Sequence, residues 1–161
     1  MPTPVDDAHF KLALSHFASG VTVVTTEHEG TPYGMTVASF ASLSLNPPLV
    51  LVCIEKSVKT HDAIAAAQKF GVSILAQSQA EVSGRFAAKK IEDKFSGVAV
   101  TRGELGVPLL EGAICALECR VHSALPGGDH TIFVGEVTGV HVASNDEAPL
   151  VYFRSGYRQL A

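Results

Sequence analysis

The sequence has 161 residues, 47% of them apolar and only 17% charged, with four more acids than bases. That length suits one domain with a sizeable core, and a charge content below the usual quarter predicts that a second subunit covers part of the surface. The acidic balance and the lack of a basic cluster argue against a nucleic-acid partner, and no apolar run approaches the roughly 20 residues of a membrane span.

The opening Met1-Pro-Thr-Pro-Val-Asp-Asp7 lacks the basic start and apolar centre of a signal peptide. Asp6 is suited to cap a first helix, Asp7 to about Phe17, with Phe10, Ala13, Leu14 and Phe17 on one face. His9 and His16 fall on the other side and read as solvent-exposed, and Gly20 ends the helix. Val21 to Thr26 is a strand, and Glu27 to Pro32 a polar turn, holding His28, that leads into a second strand.

The next stretch, Gly34 to Ile54, organises the chain. Its first half is crowded with small and hydroxyl side chains, Thr36, Ala38, Ser39, Ala41, Ser42 and Ser44. Pro47-Pro48 breaks the chain, and Leu49 to Ile54 reads as a buried strand. Lys56, Ser57, Lys59 and Thr60 then precede a helix from His61 to about Lys69, capped by Ser57 or Thr60, with Ile64, Ala67 and Phe70 turned inward. Small residues let a flat ligand approach the backbone, and hydroxyls, lysines and a helix start favour a phosphate. The same residues also make an ordinary turn and a capped surface helix, so both readings stand on local grounds.

Gly71 to Ala76 is a further strand, and Gln79 to about Ala88 a short helix with Val82 and Phe86 as apolar contacts. Arg85-Phe86 closes it, followed by Lys89 to Lys94, which reads as a solvated loop of self-compensating charge. Leu105 to Gly112 is turn-rich. Ala113 to Ser123 alternates, with Cys115, Leu117, Cys119 and Val121 on one face and Ala116, Glu118, Arg120 and His122 on the other. Pro126 to Asp129 is a hairpin turn, His130 to about Val142 the returning strand, and Pro149 to Phe153 the last strand. His130 is either a polar strand-end residue or a ring directed into a cleft.

The three cysteines, Cys53, Cys115 and Cys119, cannot all pair, show no zinc spacing and sit among apolar residues, which predicts small core residues in a reducing cytoplasm. The carboxylates Asp129, Glu136 and Glu118 form no convincing acid–base pair; Glu118 faces Arg120, and these groups read as structural. No Ser-His-Asp or Cys-His arrangement and no Gly-x-Gly-x-x-Gly after a strand is present. About six or seven strands and three short helices without a βαβ rhythm predict a single, mainly β domain over residues 1–161, an antiparallel barrel rather than a doubly wound sheet.

Gly-Met-Thr-x-x-Ser-Phe-x-Ser-x-Ser-x-x-Pro-Pro-Leu-Val from Gly34, Lys56-Ser-x-Lys-Thr-His61, Gly128-Asp-His-x-x-Phe-Val-Gly-Glu-Val137 and Pro149 to Arg158 together resemble the short-chain flavin reductases. The resemblance spans roughly Phe17 to Tyr157. It implies an FMN-binding split barrel of antiparallel Greek-key type, working as a homodimer. It implies reduction of FMN or FAD by hydride from NADH or NADPH, with reduced flavin passed to a separate flavin-dependent monooxygenase. On this resemblance the flavin ring lies along Met35, Thr36, Val37, Ala38 and Ser39, with Cys53 grouped with them as a candidate contact. The phosphate lies near Ser57, Lys59 and Thr60, Arg85 and Phe86 lie beside the flavin, and His130 stands at the flavin and nicotinamide site. Tyr152, Arg154 and Tyr157 are candidates for the nicotinamide dinucleotide, or else interface aromatics. Ala38 stands where relatives often carry a polar residue, and Val58 replaces a frequent serine. The alternatives are a flavin carrier or sensor without turnover and an oxidase of the pyridoxamine-phosphate type on the same barrel.

Overall fold

A computed structural model describes all 161 residues. Helix α1 (Asp7–Leu14) is capped by Asp6, whose carboxylate accepts the His9 N–H. It ends earlier than the apolar spacing suggests, because the Ser15 hydroxyl and the His16 ring both donate to the Leu12 carbonyl and compete with the next helical turn. None of its residues is buried, so its apolar stripe stays largely exposed.

A two-residue bridge strand, β1 (Ser19–Gly20), precedes the hairpin of β2 (Thr22–His28) and β3 (Thr31–Val37). The turn is tighter than the sequence suggests. Glu29 and Gly30 alone make it, at φ 51° and 78°, and His28 pairs with Thr31 in the ladder. β4 (Phe40–Leu45) and β5 (Pro48–Glu55) form the next hairpin around Asn46-Pro47. Helix α2 (Lys59–Ala67) begins at Val58, which corrects the expectation of a hydroxyl cap. Ser57 donates instead to the Glu55 carboxylate, and Thr60 lies buried in the first turn.

β6 (Lys69–Ile74) is followed by a 3-10 turn, Gln77–Gln79, and by α3 (Ala80–Ala87). Then come β7 (Val100–Arg102), β8 (Pro108–Leu110), the long hairpin β9 (Cys115–Gly127) and β10 (His130–Val142), and finally β11 (Val151–Phe153) and β12 (Gly156–Arg158). The main sheet is antiparallel with seven strands in the order β3-β2-β6-β9-β10-β5-β4. The shorter segments β1-β11-β12 and β7-β8 pair outside it, which is why the strand total exceeds the sequence estimate.

The core lies inside the curled sheet. Val24, Val52, Ile54, Phe70, Val72 and Phe133 meet Ile64 of α2, all of them fully or almost fully buried. A second cluster, Val21, Val23, Leu75, Phe86, Leu110 and Leu150, packs between the other face of β2 and α3. Adjacent Val23 and Val24 thus belong to different clusters, so β2 is covered on both faces.

Glu118 departs from its expected place on a polar face beside Arg120. The residues around β8 cover that face of β9, leaving Glu118 2% exposed. Its carboxylate accepts the Leu105 N–H at 3.0 Å and pairs with His141 Nε2 at 2.9 Å. Gly103 and Gly139 leave the room it occupies, since a Cβ at either would strike it. Burial pushes the Glu118 carboxyl upward, but the His141 and Leu105 bonds outweigh it and hold the net value below the ordinary carboxylate range. Cys119 is fully buried and its thiol is pushed up to about 12, chiefly by burial, which makes it an inert core residue. Cys53 and Cys115 are half-buried and also unpaired.

A lowered folded-state carboxyl contributes stability above the unfolded-state value and loses it as the pH falls through the folded one. The melting temperature of the wild type is therefore expected to fall on acidification below about pH 4.5. Glu118→Gln should weaken that acid limb while lowering stability at pH 7. Identical acid limbs in the two proteins would contradict the assignment.

Candidate active site

Strand β3 forms the floor of the cleft in which the candidate residues collect. Thr36 Oγ1 donates to the Ser83 carbonyl at 2.6 Å, and the Ser83 hydroxyl bonds the Tyr157 hydroxyl at 2.7 Å. The floor, α3 and the C-terminal hairpin are thereby tied in one line. Gly34 lets α3 come close, because a Cβ there would sit 2.9 Å from the Phe86 ring and 3.1 Å from Phe95. Phe86 and Phe95 stack edge to face with centroids 5.0 Å apart.

The space between the floor, the start of α2 and residues 86–95 has a volume of about 580 Å³, within the range of small-molecule sites. Met35, Thr36, Ser57, Lys59, Thr60 and Phe86 from the sequence-derived set all line it. At the start of α2, with no side-chain cap, the N–H groups of Lys59 and Thr60 have no acceptor within the chain. They add to the partial positive charge of the helix start. A floor whose Gly34 carries no side chain, hydroxyls, a lysine and two free donors fit a flat ring ending in a phosphate.

The other candidates lie elsewhere. Val37 is buried in the main core. Ala38 is exposed, and Ser39 donates its hydroxyl to the Cys53 carbonyl at 3.0 Å. Cys53 lies opposite Ile132, which in turn lies opposite Leu125, so these three share one half-exposed face of the sheet. His130 stands opposite Glu55, a residue of the cleft, and its Nδ1 lies 2.7 Å from the Asp129 carboxylate. The Asp129 carboxyl is held below its ordinary value, first by that bond.

The Arg85 guanidinium is already engaged. It donates to the Lys94 carbonyl from Nε and to the Asp93 carbonyl from a terminal nitrogen, both at 2.7 Å. Arg154 and Ser155 form the left-handed turn between β11 and β12, at φ 50° and 58°, with the Arg154 guanidinium 5.2 Å from the Phe153 ring centre. Tyr152 packs on Tyr157 with centroids 5.8 Å apart.

Sequence reading missed the wall made by residues 89–95. Lys89, Ile91, Lys94 and Phe95 line the cleft, and the segment is not the self-contained solvated loop expected of its mixed charges. The apolar Ile91 and Phe95 on either side of Glu92-Asp93-Lys94 were the available signal. The buried Ser83 was also missed, since a serine in an amphipathic helix gives no sign of joining two other elements.

A family model described as a flavin reductase like domain matches residues 14–161. The reductase component of the 4-nitrophenol 4-monooxygenase/4-nitrocatechol 2-monooxygenase of Rhodococcus opacus is 43% identical over 154 residues, covering 96% of this chain and 81% of that protein. An NADH-dependent flavin reductase of a Rhodococcus species is 43% identical over 159 residues, covering 97% of this chain and 88% of that one. Among solved structures, the NADH:FAD oxidoreductase of Streptomyces globisporus, in complex with NAD and FAD fragments, superposes with a TM-score of 0.91 at 38% identity, covering 97% of this chain and 93% of that one.

Gly34→Ala should force the Phe86 and Phe95 rings from β3 and cost about 1–3 kcal/mol in urea unfolding. The same variant should bind flavin more weakly in a fluorescence titration. An unchanged unfolding midpoint and unchanged binding would remove Gly34 from the account.

Proposed function

The chain belongs to the flavin reductase-like family, and we propose that its cleft binds FMN or FAD and reduces it with NADH, releasing reduced flavin to a separate monooxygenase. The observation that carries this reading is the junction, in one cleft, of the β3 floor around Gly34 with the two free N–H groups and the lysine at the start of α2. The ring lies over Met35 and Thr36, and the phosphate is held by Ser57, Lys59, Thr60 and the helix start. The bound flavin supplies the acceptor for a hydride from the nicotinamide, so the protein's task is to hold two rings at stacking distance.

His130, at the rim opposite Glu55, orients the nicotinamide. Its Nδ1 faces the Asp129 carboxylate, which leaves Nε2 as the atom directed at the substrate. Tyr157 acts through Ser83, holding the floor strand and α3 in register. The role as one component of a two-protein oxygenase is supported by the Rhodococcus opacus relative, and NADH as donor by the relatives named for it.

Turnover as a homodimer is supported by large apolar side chains left in water. Leu45 is 97% exposed, Phe17 is 81% exposed, and Leu43 and Leu125 are about half exposed. Three unpaired cysteines support a reducing cytoplasm. No helix is long and apolar enough to cross a membrane.

Anaerobic incubation of the protein with NADH and excess FMN, FAD or riboflavin tests the reading through the nicotinamide absorbance. Many turnovers per protein are expected; flavin binding without NADH oxidation would identify a carrier instead. His130→Ala should raise the KM for NADH on the order of tenfold or more while changing the flavin dissociation constant less than about threefold, since hydrogen bonds to a bound substrate commonly contribute that much. Equal loss of both, or of neither, would remove its assigned role.

A further inference from the structure

Three cations line the cleft, Lys59, Lys89 and Lys94. Lys59 begins α2 beside the free N–H groups, and Lys89 is exposed. Lys94 differs from both. It is half-buried, and its ammonium donates to the Phe86 carbonyl at 2.9 Å. Its backbone is fixed by the Arg85 guanidinium, and the following Phe95 ring abuts the floor at Gly34. The charge is thus anchored at the end of α3, in the wall that Phe95 closes against the floor. No carboxylate pairs with it, and removal from water holds its pKa below the ordinary lysine value. An ammonium carries three N–H bonds, and the chain takes up one of them.

Resting on the flavin reading above, we infer that Lys94 is the ring-side cation of the cleft and stabilises the negative charge that hydride transfer places on flavin. The balance of that step requires such a charge. Hydride leaves C4 of the dihydronicotinamide with both bonding electrons, leaving a nicotinamide cation, and neutral oxidised flavin becomes anionic reduced flavin. A fixed, partly desolvated ammonium interacts more strongly with the product than with the neutral ring, and an interaction of that kind lowers the barrier as the charge develops. The competing account is that Lys94 only satisfies the last carbonyls of α3, which would affect stability alone.

Dissociation constants of oxidised and of anaerobically reduced FMN separate the two accounts. In Lys94→Met the affinity for reduced relative to oxidised FMN should fall on the order of tenfold or more, with a comparable fall in the single-turnover hydride-transfer rate. Lys94→Arg should recover most of both. Lys94→Gln, which keeps a donor for the Phe86 carbonyl without the charge, should behave as Lys94→Met and serves in its place if that variant does not fold. Lys90→Met, in the same segment but outside the cleft, should leave the ratio unchanged. An unaltered ratio in the uncharged variants, whatever their melting temperatures, would overturn the role of Lys94. Failure of the wild type to bind either form of FMN would overturn the flavin reading itself.

Discussion

The close approach of α3 to strand β3 at Gly34 is the constraint on which the cleft depends. A side chain at that position would hold the Phe86 and Phe95 rings away from the floor. Because the rings close there, the wall from residue 89 to 95 stands over the same floor that faces the start of α2. The Thr36–Ser83–Tyr157 line fixes the approach in angle as well as in distance, carrying the C-terminal hairpin into the support of the floor. Packing of two aromatic rings on a bare glycine therefore sets the width of a site whose polar groups come from other elements.

Those polar groups are divided by position. The helix start at Lys59 and Thr60 offers unpaired backbone donors, suited to the fixed charge of a phosphate. The Lys94 ammonium is held in the cleft wall by a carbonyl at the end of α3, suited to a charge that appears only during reaction. Arg85, the strongest cation in the vicinity by residue type, serves neither purpose. It grips the carbonyls of Asp93 and Lys94 and so positions the lysine.

Much of this was legible in the sequence where local rules govern. The alternation along Cys115 to Ser123 and the Gly127-Gly128-Asp129 turn gave the long hairpin with its return strand starting at His130. The Gly34 to Thr60 stretch contained five of the candidate residues that meet in the cleft, Met35, Thr36, Ser57, Lys59 and Thr60. What remained hidden depends on contacts distant in sequence. Glu118 was paired with Arg120 rather than His141 because period-two alternation cannot reveal that the 103–110 segment covers the second face of β9. The capping of α2 was misjudged because Ser57 finds a nearer partner in Glu55, leaving the helix N–H groups free. Residues 89–94 looked solvated because mixed charge conceals the role of Lys94 as a wall residue.

The most direct test of the account is a crystal structure of the protein with FMN bound. The ring is expected over Met35 and Thr36 with its edge toward Lys94, and the phosphate on the N–H groups of Lys59 and Thr60. A ring seated instead on the half-exposed sheet face around Cys53 and Ile132, with the cleft beside Gly34 unfilled, would contradict it.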